Sequence, residues 1–463
     1  FGLTGRWGNN TLSMQYRRVF SEKLIGNFLY ANSLFFTEFG LGGSNGLNSD
    51  NQIDDGTISA NLTWFKSLKS TVKFGAQIKN LGFLYENTFG DSLQFQINTD
   101  PKELAGYVKM KHSISDKFIL EPGIRINYYN VYSDQFYPDF RFGMKYLLTD
   151  DRYINLSLGN YHQFMATFQD DYNPNILDQW IAVDKTVSPG KSTQFVLGYE
   201  EYIKDIYKLQ IEGYYKDIEN LFTYEEFRAT TDEAFPDTFR LSDIVTPSDG
   251  YAYGLEIFTQ KMSGRLSGWL AYTFSVSRKK MNSIFYDKEE EYYNGWDRTH
   301  SFSALGNYRI NSDWDMNWKL SIQSGQAYTP ILGYYNQHFP ESPDESFRTI
   351  PGTRNSARYA PYNRLDFGFV HHKIINGKKM DIYIQIINVF NTKNIFRKSY
   401  NVGSTTNGID DDRDWDVNEH DTNGNGLPDV GEVNVDEQDE GSLQVNDISL
   451  FPIIPTIGIS WEF

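Results

Sequence analysis

Residues Leu450–Phe463 read LFPIIPTIGISWEF. From Ile457 onward the side chains alternate, with Ile457, Ile459, Trp461 and Phe463 on one side and Gly458, Ser460 and Glu462 on the other. A period of two is the mark of a strand, whose successive side chains point to opposite faces. A strand that ends on an aromatic, with Trp two residues earlier, has the form of a strand in an outer-membrane β-barrel. There the apolar face meets lipid, the small and polar face meets the lumen, and aromatics sit at the membrane–water boundary. The closing strand of a soluble β-sandwich presents the same alternation, so this stretch alone leaves both open.

Working back from it, strands and connections fall into a long–short rhythm. Asp381–Val389 alternates and joins Arg364–Ile375 through Asn376-Gly377-Lys378, the Asn-Gly signal of a tight hairpin. Thr329–Asn363 reads as a long loop, preceded by strands Trp314–Ser324 and His300–Ile310 around a short turn at Asn311-Ser312-Asp313. Further short turns are predicted at Ser21–Lys23, Lys66–Ser70, Ser113–Asp116, Thr149–Arg152, Ile203–Asp205 and Ser263-Gly264. Longer loops alternate with them, at Gly40–Asp55, Thr88–Asp100, Thr167–Gly190, Glu226–Gly250 and Arg278–Asp297. Sorting connections by parity suits short periplasmic turns and long extracellular loops, and a sandwich has no reason to do it. The reading is all-β: a transmembrane antiparallel barrel with seventeen clear strands in this chain, the first at Thr11–Phe20. Phe1–Trp7 is either a remnant of another strand or the start of the second hairpin. Pro122, inside Phe118–Tyr128, removes a ladder donor and predicts a bulge.

The composition agrees. Among 463 residues there are 32 Tyr and 34 Phe, more aromatic surface than a soluble core needs. Mean hydropathy is -0.53 and no run of 18 apolar residues occurs, which excludes helical spans but not a barrel. With no cysteine, neither a disulfide framework nor a thiolate metal site is possible. The chain opens at Phe1 without signal-peptide features, as a processed or truncated chain would. Net charge is -17, but Gly408–Gly441 holds thirteen acidic residues against one basic, Arg413, so one loop supplies -12 of it. Nucleic acid is an unfavourable partner for such a chain.

Several stretches resemble the C-terminal barrel portion of a TonB-dependent outer-membrane receptor of the Bacteroidota type. Asn388-Val389-Phe390-Asn391 is similar to that family's closing signature on the penultimate strand, and Arg364-Leu365-Asp366 to a late strand start. Asp297-Arg298-Thr299-His300 and Tyr215-Lys216-Asp217-Ile218-Glu219-Asn220-Leu221 resemble recurrent strand–loop junctions, and Trp461-Glu462-Phe463 completes the set. The resemblance spans most of Asp139–Phe463. It implies a 22-stranded barrel occluded by an N-terminal plug, with a TonB box that couples import to the inner-membrane proton gradient. Thr11–Phe20 would then be the sixth strand, and residues 1–463 the C-terminal portion of something larger. The strand alternation makes outer-membrane lipid a partner, and the resemblance implies the TonB complex through the missing N-terminal region. A surface lipoprotein capping the extracellular face would fit either of two functions. The implied function is active nutrient import, the alternative a structural or docking barrel in a cell-surface complex.

Residues 401–448 form an acidic extracellular loop between the last two strands. Within it, Asp421 to Glu432 carries the spacing of a twelve-residue calcium loop. Oxygen ligands would come from Asp421, Asn423, Asn425, the Leu427 carbonyl, Asp429 and a bidentate Glu432, with Gly426 at the sharp turn. No helical pattern flanks it, so a bound Ca²⁺ would rigidify an isolated loop and offset its self-repulsion. Asp410, Asp411, Asp412, Asp414, Asp416 and Asn418 could supply a second, less regular site. A solvated acidic loop without metal has the same composition. None of the seven histidines has metal-ligand spacing, adjacent His371 and His372 must face opposite ways, and no nucleophile elbow or phosphate-cradling loop stands out. The chain thus reads as a non-enzyme with an unassigned substrate. Tyr172, Trp180, Tyr334 and Tyr335 are loop aromatics able to stack on a ligand or to pack the loops.

Overall fold

Strict alternation along most of the chain makes strands the dominant elements, and the computed structural model shows no α-helix among the described residues. Those residues are 3–41, 46–90, 92–131, 136–168, 179–224, 241, 245–283, 288–339, 342–403, 417, 422, 424, 426, 427, 442–449 and 452–461. The chain divides into two compact units, Phe1–Tyr308 and Arg309–Phe463.

In the first unit each long strand pairs antiparallel with the next, beginning with Leu3–Ser21, Leu24–Leu41, Leu47–Ser67 and Ser70–Phe89. Lys102–Ser115, Phe118–Tyr129, Phe136–Thr149 and Arg152–Gln163 follow. Gly190–Ile203, Tyr207–Tyr224, Val245–Lys261, Leu266–Ser283 and His300–Arg309 complete this meander of thirteen strands. In the second unit Trp314–Gln323, Tyr362–Ile375, Lys378–Ile387 and Ile454–Trp461 pair in chain order. Together they are the seventeen strands that the rhythm of turns predicts. Every predicted tight turn is present. At Asn376-Gly377 both turn residues lie at positive φ (53° and 77°), as a two-residue hairpin of this type requires, and Lys204 and Asp205 (54° each) do so in the three-residue turn between Ile203 and Tyr207.

The predicted outer loops shrink, because the ladders run on past the apolar pattern. Leu24–Leu41 and Leu47–Ser67 stay in register from Leu24↔Trp64 to Leu41↔Leu47, so the loop expected at Gly40–Asp55 is mostly strand. Its residues, among them Asp50, Gln52, Asp54 and Asp55, are polar on both faces, which hides the strand from a search for alternating apolar residues. Thr88–Asp100, Arg278–Asp297 and Thr329–Asn363 likewise contain added strands, at Ser92–Thr99, Lys288–Tyr293, and Ile331–Phe339 with Ser342–Pro351. The strand expected to start at Thr11 starts at Leu3, with Trp7 within it. Pro122 makes no bulge: the register is the same on either side of it, Lys109↔Gly123 and His112↔Leu120.

The two faces differ as lipid and water would require. On Leu47–Ser67 the apolar face carries Ile58, Ala60, Leu62 and Trp64, and its neighbour carries Val72, Phe74, Ala76 and Ile78. From Gly56 to Trp64 this band runs about 26 Å along the strand at ~3.3 Å per residue, of the order of an outer-membrane hydrocarbon band. On it Ile58 stays 55% exposed, and on the final strand of the second unit Ile457 and Ile459 are exposed by 75% and 64%. Exposed aromatics cluster within a few residues of the tight turns, as Tyr16, Trp64, Tyr146 and Tyr207 in the first unit and Trp314 and Trp461 in the second. In the final strand Gly458 faces Tyr383, whose ring occupies the space a Cβ would need.

Candidate functional site

The opposite face of the first unit is polar and cross-linked. Arg125 donates to Asn127 Oδ1 (2.6 Å) and Gln77 Oε1 (2.9 Å), and reaches Glu103 at 3.4 Å. Asn127 donates to Asp139 Oδ2 (3.0 Å), and His162 Nδ1 lies 2.7 Å from Asp139 Oδ1. Tyr107 donates to Asn61 at 2.8 Å. Because the pairings are in register, residues two apart on successive strands build one continuous ladder of donors and acceptors. Asn127 and Asp139 are both 2% exposed, and their mutual bonding is what makes burial of these polar groups tolerable.

Away from the tight turns this face becomes apolar, and a hairpin covers it. Leu81, Phe83 and Tyr85 continue the polar parity of Lys73 and Gln77 yet are buried. Met165–Phe168 and Gln179–Ala182 pair with each other and turn inward onto them. Asn51 imitates a strand partner here: Trp180 N–H donates to its Oδ1 (2.8 Å), and its Nδ2 donates to the Trp180 carbonyl (3.0 Å). Phe164 stacks on Tyr129 with centroids 4.6 Å apart, and the Tyr129 hydroxyl donates to the Val183 carbonyl at 2.9 Å. Around them Ile181, Val183, Val187, Leu241 and Val245 form a dry cluster. Asp184 ties it together, accepting from the N–H groups of Thr186 (2.7 Å) and Leu241 (3.0 Å). The predicted loop Thr167–Gly190 is therefore partly a packed inward lid. Its signal in the sequence is the apolar run Trp180–Val183 amid polar loop residues.

The family-like motifs prove to be clasps at the outer ends of strands. Arg364 makes two hydrogen bonds to Asp366 (2.7 and 2.8 Å), and Asp366 also accepts the Asn388 N–H at 3.0 Å. Asn388 is fully buried at φ 55°, its amide bonded to the Thr392 carbonyl and its Oδ1 accepting the Thr392 N–H. Asn391 Oδ1 accepts the N–H of Ile453, which aims the chain into the last strand. Thus Arg364-Leu365-Asp366 and Asn388-Val389-Phe390-Asn391 are two halves of one knot. Asp297 caps the Asp297–His300 stretch by accepting the Ser277 N–H (2.8 Å). Asn220, at φ 57°, sits in an irregularity between Ile218 and Leu221 and donates to the Pro189 carbonyl.

In the outer part of the second unit, Ile395–Gly403 and Ser442–Ser449 form a two-stranded hairpin bracketing the acidic segment. Lys398 bonds Asp447 at 2.7 Å, which raises its pKa. Nearby Tyr328 and Tyr359 stack at 4.3 Å. Burial, and then the neighbouring phenols of Tyr400 and Tyr328, push the Tyr359 hydroxyl up to about 12. Of the predicted calcium ligands, Asp421, Asn423, Asn425, Asp429 and Glu432 lie outside the described residues, as does the second acidic group. Leu427 is described and exposed, and Gly424 and Gly426 both take φ 75°. His371 and His372 do face opposite ways: His371 stacks on Trp314, and His372 bonds Asp381 (2.8 Å) and Asp315 (3.2 Å). Among the loop aromatics Trp180 belongs to the inward hairpin, Tyr334 and Tyr335 to Ile331–Phe339, and Tyr172 lies outside the described residues.

A family model described as "TonB dependent receptor-like, beta-barrel" matches residues 1–389. No curated protein matches the chain. Among solved structures it is similar to the ferripyoverdine receptor of the outer membrane of Pseudomonas aeruginosa, at 12% identity and TM-score 0.57, covering 85% of this chain and 53% of that one. It also resembles the ferric-catecholate import receptor Fiu from E. coli K12 (14%, TM-score 0.55, 84% and 60%) and the ferric citrate transporter FecA (14%, TM-score 0.54, 85% and 58%). The chain thus spans a little over half the length of these structures. With a family match over most of its length and the antiparallel meander to fit it, the chain belongs to the TonB-dependent receptor β-barrel family of bacterial outer membranes.

Proposed function

We propose that this chain forms the wall of a TonB-coupled importer that carries a nutrient across the outer membrane. The observation that carries the reading is the pairing of an apolar outer band with a bonded polar face over the family-matched strands. A polar, water-accessible interior behind a lipid-facing wall is what solute passage needs. The similar structures are named for ferric pyoverdine, ferric catecholate and ferric citrate, and iron chelates are accordingly the first cargo to test. In the whole protein the TonB complex supplies the energy, and no catalytic role is assigned. The Bacteroidota-type motifs point to the lineage. The test is uptake of radiolabelled ferric chelates by cells expressing the protein as their sole receptor of this kind. Uptake should vanish on deletion of TonB or collapse of the proton gradient. Growth and uptake indifferent to both would overturn the reading.

The acidic loop is proposed to bind Ca²⁺ through Asp421, Asn423, Asn425, Leu427, Asp429 and Glu432. Two glycines at left-handed φ support the sharp turn that a twelve-residue calcium loop needs at its sixth position, Gly426. Hard oxygen donors at these spacings suit Ca²⁺ better than softer metals. Bound calcium would stiffen the segment between the last two strands. Calorimetric titration with Ca²⁺ should show saturable binding that Asp421→Asn with Glu432→Gln abolishes. An unchanged titration in that variant would dismiss the site. A docking role for a surface lipoprotein draws support from exposed Phe396, Val445 and Ile448 on the bracketing hairpin. Co-purification from cross-linked cells, lost in Phe396→Ser, tests it.

A further inference from the structure

The lipid-facing side of the first unit is not uniform at its tight-turn end. On the first three strands the register sets Tyr16, Phe28 and Ala60 in one row and Arg18, Gly26 and Leu62 in the next. Ala60 and Leu62 belong to the apolar band, so Arg18 faces lipid with them. A side chain at Gly26 would collide with the Phe20 ring, which places Phe20 on the same face. The Arg18 guanidinium stands 5.2 Å from the centroid of that ring, and the Lys66 ammonium 6.0 Å from the centroid of Trp64. Tyr16 and Phe20 both pack against Phe28, at 6.2 and 6.4 Å. Arg18 and Lys66 are exposed, as are Lys23 and Lys69 in the adjoining turns. Against these four stand Glu22 in the first turn and Asp116, 3.9 Å from Lys69. On the strands that follow, the same face carries Val108, Met110 and His112, then Leu120 and Ile124, then Phe140, Phe142 and Met144. Cations beside aromatic rings thus gather in one sector of the wall.

We infer that this sector binds an anionic phospholipid of the periplasmic leaflet. Arg18 and Lys66 attract its phosphate, and the strip of Tyr16, Phe28 and Ala60 seats its acyl chains. Tight turns mark the periplasmic end of such walls, which fixes the leaflet. A cation on the lipid face is costly at mid-depth and tolerated near the boundary, where its long stem carries the charge to water or to an anion. Contact with the rings of Phe20 and Trp64 holds these two charges along the wall. Cations at this depth attract a lipid of net negative charge, whereas a zwitterionic headgroup offsets its own phosphate and gains little. Charge complementarity therefore selects the occupant. The inference concerns the lipid-facing surface alone and stands whether or not the protein imports a nutrient.

Native mass spectrometry of the full-length protein tests it, after equilibration in detergent with phosphatidylglycerol or phosphatidylethanolamine of the same acyl chains. The parent should retain phosphatidylglycerol in preference, and rising salt should narrow that preference. Arg18→Gln and Lys66→Gln should each cut retention about five-fold. Exchanging the two cations, Arg18→Lys with Lys66→Arg, keeps the charge and should keep most of the binding. Lys261→Gln, which removes a cation from the same face beside Tyr207 on distant strands, should retain lipid like the parent. Unfolding in vesicles gives a second readout. Phosphatidylglycerol added to phosphatidylethanolamine should raise the midpoint of the parent and leave that of the double Gln variant unmoved. Equal retention of the two lipids by the parent, or a preference that survives both Gln substitutions, would overturn the inference. So would an equal loss in Lys261→Gln, or lipopolysaccharide retained where phosphatidylglycerol is not.

Discussion

Val183 is the place to test whether the inward hairpin is held by packing. Its side chain is 1% exposed, among Ile181, Val187, Leu241 and the Tyr129–Phe164 stack. In Val183→Asp the buried isopropyl group is lost, at about 1.5–2 kcal/mol. A carboxylate would also enter a dry cluster with no cation in it, at a further cost of several kcal/mol. Together these exceed ~4 kcal/mol, which shifts the docked-to-released ratio by about three decades at ~1.4 kcal/mol per decade. The chain has no cysteine, so a nitroxide attached at Lys185→Cys, an exposed position on the hairpin, reports from that site alone. The parent should give the broad spectrum of an ordered segment, and Val183→Asp the narrow lines of a free one, with matching access to a polar relaxation agent. Val183→Ala, costing about 2 kcal/mol, should fall between. An Asp variant whose spectrum equals the parent's would refute packing as the force that holds the hairpin, and would leave the Asn51–Trp180 bonds as its anchor.

Other perturbations follow from the same geometry. Asp366→Ala orphans the Asn388 N–H and strips a half-buried Arg364 of both hydrogen bonds, so unfolding in detergent should become easier by about 3 kcal/mol. A loss under about 1 kcal/mol would show the clasp to be incidental. Ala60→Lys, in the middle of the apolar band, should cost about 2–4 kcal/mol in lipid bilayers, and Gln77→Lys on the polar face should not. Tyr359 has a folded value near 12 against 10.0 unfolded, so its contribution is whole below about pH 10 and is lost as pH rises towards 12. The gap is worth at most about 2.7 kcal/mol, and solvent screening at this partly exposed ring brings it nearer ~1. The alkaline absorbance difference between parent and Tyr359→Phe should therefore titrate close to pH 12, and a midpoint near 10 would contradict the burial.

What the sequence by itself determined is the order of the long strands, the tight turns and the sidedness of the sheet. Each is a local matter: a period of two over several residues, an Asn-Gly at positive φ, an isoleucine row on one side of Ile457–Trp461. Local signals failed where strands left the apolar band, as at Asp50–Asp55, because hydrogen-bonded ladders there hold polar residues on both faces and no periodicity marks them. Pro122 misled for a related reason: its missing donor predicted a bulge, and neighbouring pairs kept the register without one. Only the tertiary structure decided that Arg364-Leu365-Asp366 and Asn388-Val389-Phe390-Asn391 are one object. It likewise brought Asn51 to Trp180, 129 residues away, and set Arg18 beside Gly26 and Leu62 on one face of three adjacent strands. Those juxtapositions depend on register between strands, which is fixed by pairing across the sheet and leaves no trace in any one stretch of chain.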